Sequence, residues 1–192
     1  MMIYETIITS VDADQQARIA PFGIREEAGR VLIAPYRPSA SLNNLLANRS
    51  AVINLTDDVR IFAGALTGRR NWPVSKAEKI HGYVLDAAIA HRELELEEVK
   101  DDPVRPALYF RVVHEVNHRP FRGFNRAQSA VIELAVLVSR LHMLPIDKID
   151  AELAYLQIAI EKTAGPRELE AWGWLTEAID NFKAGIGGNN QA

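Results

Sequence analysis

The chain has 192 residues, 48% hydrophobic and 24% charged, the balance of an ordinary globular protein with enough apolar material to bury a core without staples. A net charge of −3 and a pI near 6.0 argue against a nucleic-acid binder, which carries a basic footprint. The lack of cysteine excludes disulfides, thiolate metal sites and cysteine catalysis, and fits a reducing, cytoplasmic setting.

Met1 to Glu5 has no basic region followed by an apolar run, so no signal peptide is expected. Tyr4 to Ser10 is rich in β-formers and predicts a first strand. After the polar turn Val11 to Gln16, Arg18 to Arg25 predicts a second, interrupted by Ala20-Pro21-Phe22-Gly23. Proline lacks a backbone donor and glycine a side chain, so a bulge or an open edge is expected there. That is either a simple irregularity or a place where a ligand plane lies against the backbone. Glu26 to Gly29 is the next turn and Arg30 to Tyr36 a third strand.

Arg37, Ser39 and Ser41 then crowd the start of a short helix. Two readings stand side by side. Ser41 can simply cap the helix, with Asn44 in the place of the usual capping-box residue. Alternatively, the unpaired N–H groups and positive end of the helix, together with an arginine and two hydroxyls, can hold a phosphate. Ala51 to Thr56 reads as a strand buried on both faces, ending in Asn54 and Thr56. Thr56 or Asp57 is expected to cap a helix from about Asp58 to Leu66, with Gly68 as its left-handed terminator, and Ser75 to Ile80 to form a helical turn.

Strand pattern returns at Tyr83. Leu94 and Leu96 alternate with Glu93, Glu95 and Glu97, which predicts a strand with one wet face. Lys100 to Pro106 turns the chain into an antiparallel partner, Ala107 to Asn117. Glu97, Glu98, Asp101 and Asp102 read as solvated surface. Asn125 then caps a helix from Arg126 to His142. Gln128, Ser129, Glu133, Ser139, Arg140 and His142 interrupt this most apolar stretch, making it a core helix and not a membrane span. Ile146 to Lys162 is a second helix. Gly165-Pro166 opens a third, which buries Trp172, Leu175, Ile179 and Phe182 and stops at Gly185. Strands followed by helices predict an α+β fold whose sheet closes into a small barrel. The expected divisions are a barrel domain over 1–118, a helical region over 119–186 and a flexible tail over 187–192.

Of five histidines only His114 and His118 are close in sequence. Four residues along a strand span about 13 Å at roughly 3.3 Å per residue, so the two cannot share an ion unless the strand ends between them, and no metal site is expected. No Gly-x-Ser-x-Gly elbow and no glycine-rich phosphate loop before a helix occurs. Arg119, Phe121, Arg122, Phe124 and Arg126 form a second dense cluster. It can pack on an aromatic ligand and reach an anion, or the phenylalanines can anchor the helix to the barrel. The second reading is favoured, since aromatics near a helix entry are most often core.

Tyr4 to Ser10, Ala20-Pro21-Phe22-Gly23, Pro38 to Asn44 and Ala51 to Asp58, followed by Arg119 to Leu141, together resemble a family of unknown function with an FMN-binding split-barrel fold. The resemblance implies a six-stranded split β-barrel with a C-terminal three-helix extension, similar to flavin reductases and pyridoxamine-phosphate oxidases. It also implies a homodimer with FMN at the subunit interface, a small-molecule substrate, and an association with methanopterin-linked one-carbon metabolism. Carried over, Arg37, Ser39, Ser41 and Asn44 would hold the FMN phosphate. Ala20, Pro21, Phe22 and Gly23, with Asn54 and Thr56, would face the flavin ring and ribityl chain. One departure is Asp14 to Arg18, where family members often carry glycine and asparagine. No nucleic acid or membrane partner is implied. A flavoprotein needs no catalytic side chain of its own, because the flavin carries the redox chemistry. An oxidoreductase and a non-catalytic flavin carrier are both compatible with these residues.

Overall fold

Apolar runs and apolar–polar alternation build eight strands among the described residues, six of which close into a barrel. The structure, a computed structural model, describes residues 2–189. β1 (Tyr4–Val11), β2 (Ala17–Glu27), β3 (Arg30–Ile33), β4 (Ser50–Leu55), β7 (Ala90–Lys100) and β8 (Ala107–Asn117) close in the order β1-β2-β3-β8-β7-β4. Every neighbouring pair in the barrel is antiparallel. β5 (Val74–Lys76) and β6 (Tyr83–Leu85) form a separate two-stranded ribbon. The chain divides into two compact units. The first comprises the residues up to Asp57 with Asn71–Phe121, and the second Asp58–Arg70 with the chain from Arg122 onward.

In the barrel unit, α1 (Ala40–Asn48) puts Leu42 and Leu45 into a core with Ile33, Ile53, Leu94, Leu108 and Phe110. Burial of each leucine contributes roughly 1.5–3 kcal/mol, which fixes the helix start relative to the strands. The β2–β3 turn places Ala28 and Gly29 in the left-handed region, at φ +51° and +77°, as a two-residue hairpin of matching twist requires.

The helical unit comprises α2 (Arg60–Leu66), α3 (Arg126–Val138), a 3₁₀ turn (Leu141–Met143), α4 (Ile146–Thr163) and α5 (Pro166–Asn189). Its core gathers Leu134, Ile149, Ile160, Leu175 and Ile179, with Trp172 and Phe182 packed against it. Asn125 caps α3 as expected, accepting from the N–H groups of Ala127 and Gln128. Gly68, at φ +83°, follows α2 in the left-handed region as expected. Among the described residues no helix is long and apolar enough to cross a membrane.

Of the two expectations for the second strand, the open edge holds and the bulge does not: β2 pairs residue by residue with β1 from Ala17 to Ile24. Its Pro21 is accommodated because β3 pairs only with Arg25 to Glu27, which leaves the other edge of β2 open there. Several other local expectations are overturned. Residues 74–76 are strand, not a helical turn, because they pair with Tyr83–Leu85. Val59 stands at the N-cap of α2, and the N–H of Arg60 reaches back to Asp58 Oδ1. α3 ends at Val138, and its last expected turn is 3₁₀. α5 continues past Gly185 to Asn189; the rest of the expected tail, 190–192, lies outside the described residues. Phe121 and Phe124 are 59% and 96% exposed, so they do not anchor a helix in a core.

Candidate functional site

The chain between β3 and α1 is where the sequence concentrates anion-binding groups. Ser39, not Ser41, is the N-cap: its Oγ accepts the N–H of Leu42 at 3.2 Å, which leaves the hydroxyl proton free to donate outward. The N–H of Asn43 begins the helical ladder at Ser39 O. Ala40 and Ser41 therefore occupy first-turn positions, where N–H groups have no intrahelical acceptor. Among the described residues the Ser41 hydroxyl takes no protein partner.

Arg37 is held by the opposite loop. Its backbone N–H donates to Val104 O at 2.8 Å, and its guanidinium lies 2.7 Å from Asp101 Oδ1. Asp101 is almost fully exposed, so the pair is weak and exchangeable. Asp102 organises that loop by accepting the N–H groups of Arg105 and Val104, which hold its carboxyl below the usual range. Arg105, which sequence reading missed, donates to Ala34 O at 2.8 Å and lies over the Tyr36 ring at 4.8 Å. Asn44 donates its amide to Ser10 Oγ.

The remaining residues singled out in the sequence fall into two groups. Ala20, Pro21, Phe22 and Gly23 are half-buried along the open edge of β2, opposite Ile8, Ile7, Thr6 and Glu5. Thr56, just beyond β4, donates to Ala87 O. Asn54 differs in kind. It is 0% exposed; its amide nitrogen donates to Ile7 O and Thr9 Oγ1, and its Oδ1 accepts the N–H of Leu85 at 2.8 Å. These bonds tie the barrel wall to the ribbon, and its functional groups face protein on every side.

Family models described as protein of unknown function (DUF447), N-terminal domain, and protein of unknown function (DUF447) match residues 4–119 and 125–177. The chain belongs to the DUF447 family. A search of curated proteins returns no match. Among solved structures, the DUF447 chain is similar to an FMN-bound DUF447 protein from Methanosarcina mazei. The two share 19% identity over 92% of this chain and 94% of that one, with a TM-score of 0.79. It is also similar to the flavin reductase HpaC complexed with NADP⁺, at 16% identity over 64% and 82% of the two chains and a TM-score of 0.54. A 2-nitrobenzoate 2-nitroreductase from Pseudomonas fluorescens matches at 16% identity over 59% and 64%, with a TM-score of 0.51. At these identities the likeness establishes the fold, a six-stranded barrel with added helices.

A second constellation in this DUF447 chain was not legible in its sequence. The outer face of β7 is wet from Glu95 and Glu97 onward, whereas at His91 and Glu93 the ribbon and the loop 77–82 cover it. Glu93 is 0% exposed, and its carboxylate accepts the N–H groups of Glu78, Lys79 and Ile80 at 2.7, 2.7 and 3.0 Å. Burial pushes its pKa up, but these amides and His91 outweigh it and hold the group ionised. His114 stands directly opposite Glu93 on β8, next to a register shift between Glu93 and Leu94. Such bulges re-aim side chains. His91 stacks on His118 with ring centroids 5.0 Å apart, and His91 Nδ1 lies 2.8 Å from His118 Nε2. Burial depresses the pKa of His91 and keeps it neutral, although Glu93 pulls the other way. A cavity of about 450 Å³ opens beside the cluster, lined by Ser75, Lys76, Asp86, His91, Glu93 and His118.

Proposed function

We propose that the protein is a non-covalent FMN-binding flavoprotein of the oxidoreductase class, acting on a small molecule. The single observation that carries this reading is the donor set at the start of α1. Two first-turn N–H groups, two hydroxyls and an exchangeable arginine converge in sequence on one helix end that carries the positive pole of the macrodipole. That set fits a phosphate dianion. The fold shared with an FMN-bound protein and with flavin reductases supports it.

In this reading Arg37 releases exposed Asp101 and pairs with the phosphate, while Ser39 and Ser41 donate their hydroxyls. Asn44 lies one turn further along α1 and supports Ser10. The open edge of β2 at Ala20 to Gly23 offers a flat backbone surface for the ring, and Thr56 flanks the ribityl chain. Asn54 acts from behind, keeping β1, β4 and the ribbon in register. Bound FMN supplies the hydride and electron transfer. We include in the proposal a homodimer with the flavin at its interface, supported by the exposed apolar run Met2, Ile3 and Tyr4 at the start of β1.

Titration of the untagged chain with FMN and with riboflavin, followed by flavin fluorescence, tests the reading. One FMN per chain is expected, with riboflavin and the Arg37→Ala variant each at least about tenfold weaker, as the loss of a charge-assisted contact implies. Equal affinity for FMN and riboflavin overturns the phosphate site. Anaerobic mixing of the holoprotein with NADH or NADPH separates an enzyme, whose flavin bleaches, from a carrier, whose flavin does not.

A further inference from the structure

The structure assigns a divalent transition-metal site, of the zinc class, to His91, Glu93 and His114 on the outer wall of the barrel. One ligand atom from each lies within 4.8 Å of the other two. His91 Nε2 and Glu93 Oε1 are 3.4 Å apart, about the edge of a tetrahedron with metal–ligand bonds near 2.0–2.1 Å. Closing the remaining spread takes roughly an ångström of side-chain movement on the same bond lengths.

Three further observations support a built site over a chance meeting of side chains. The Nε2 of His114 is buried without a hydrogen-bond partner. The group facing it is Glu78 Oε2 at 3.1 Å, an exposed carboxylate that also pairs with Lys79 and can swing aside to leave the nitrogen to a cation. Glu93 is clamped by three backbone N–H groups, a rigid outer shell that holds a carboxylate in place for a cation. Its Oε1, which takes only one of these bonds, retains a lone pair toward His91. Finally, His118 sits behind His91 as the orienting partner that metal-bound imidazoles need.

His118 also accounts for the proton. The 3.4 and 2.8 Å contacts fit a metal-free tautomer in which His91 Nε2–H faces Glu93 and Nδ1 accepts from His118 Nε2–H. On binding, His91 Nε2 turns its lone pair to the metal and Nδ1–H donates to His118 Nε2. Both rings stay neutral; exposed His118 completes the tautomer exchange with water through its own Nδ1. Two imidazoles with one or two carboxylates suit zinc and its neighbours rather than calcium or magnesium, which prefer all-oxygen shells. The adjoining cavity leaves an open coordination position within reach of a small ligand.

The site stands apart from the flavin proposal, and its test does not use flavin. The untagged full chain, stripped with EDTA, is titrated with Zn²⁺ by calorimetry and with Co²⁺ by its visible d–d bands. One equivalent is expected to bind, with bands of four- or five-coordinate intensity. His114→Ala, at a half-buried position, should weaken binding by more than the roughly 10–100-fold that outer-shell changes cost. His118→Ala should fall within that range, and Glu97→Gln, on the wet part of β7, should match wild type. A wild-type chain that binds no stoichiometric metal overturns the assignment, as does a folded His114→Ala variant that binds as tightly as wild type. Should a variant not fold, the wild-type stoichiometry and His118→Ala decide.

Discussion

The barrel unit and the helical unit bury polar groups for different reasons. In the helical unit the buried acids serve helix ends and ion pairs. Asp58 accepts from Arg60, and Glu168 accepts the Gly165 N–H ahead of α5 and the Gln128 amide. In the barrel unit Thr6, Thr9, Ser10, Asn54, His91 and Glu93 are all buried. Thr9 and Asn54 sew the ribbon to the wall, through Tyr83 O and the Leu85 N–H. Glu93 likewise ties down the loop 77–82 through three backbone N–H groups, but among the described residues His91 and His114 beside it serve no backbone group, and polar clustering beyond what the scaffold uses is where chemistry is found.

The sharpest way to break this contrast is to damage each core in turn. Phe110→Ala in the barrel should cost about 3–5 kcal/mol and Leu134→Ala in the helical unit about 2–5 kcal/mol, read from urea unfolding. Only the barrel variant should also lose FMN affinity per folded molecule. Equal losses of FMN affinity in both would erase the functional distinction between the units.

A smaller effect comes from the polar layer itself. Asn54→Ala leaves the Leu85 N–H without its acceptor and should destabilise by about 1–3 kcal/mol. Hydrogen exchange at Leu85 should accelerate while amides in α3 stay protected. An unchanged Leu85 would mean that the ribbon is held by other contacts.

The smallest effect is one of pH. The Asp12 carboxylate accepts the Gln16 N–H and pairs with Arg18, and these hold its pKa below the usual carboxylate value against the opposing effect of burial. A depressed folded pKa contributes stability that is complete above the unfolded value and is lost as pH falls through the folded one. Wild type should therefore lose stability relative to Asp12→Asn on acidification below the ordinary carboxylate range. Parallel acid curves for the two would remove Asp12 from the barrel's acid response.

Legibility tracked the distance over which a feature is decided. The β2–β3 turn, the Asn125 cap and the Gly68 terminator were readable because a handful of adjacent residues settles each. So was the crowding of donors at α1, although the capping role passed from Ser41 to Ser39. The run of residues 75–80 was misread because its strand pairing lies with Tyr83–Leu85, outside the local window. Glu93 was misread for the same reason: alternation places it on the outer face correctly but says nothing about what covers that face. The histidines failed the spacing test because His114 and His118 were compared along one strand. The cluster instead forms across β7 and β8, with His91 at its centre.

Composition and local pattern alone settled the class of fold, the succession from strands to helices, and the helix start with its arginine and hydroxyls. Those depend on backbone propensity and on periods of two and 3.6 residues. Tertiary structure alone decided that an outward-facing glutamate would be sealed under a loop, that Asn54 would be locked inside, and that His91 would share one corner with His114 of the next strand and His118 just past its end. Burial and cross-strand neighbours are set by which strands close the barrel and by what the ribbon covers, and no single segment encodes either.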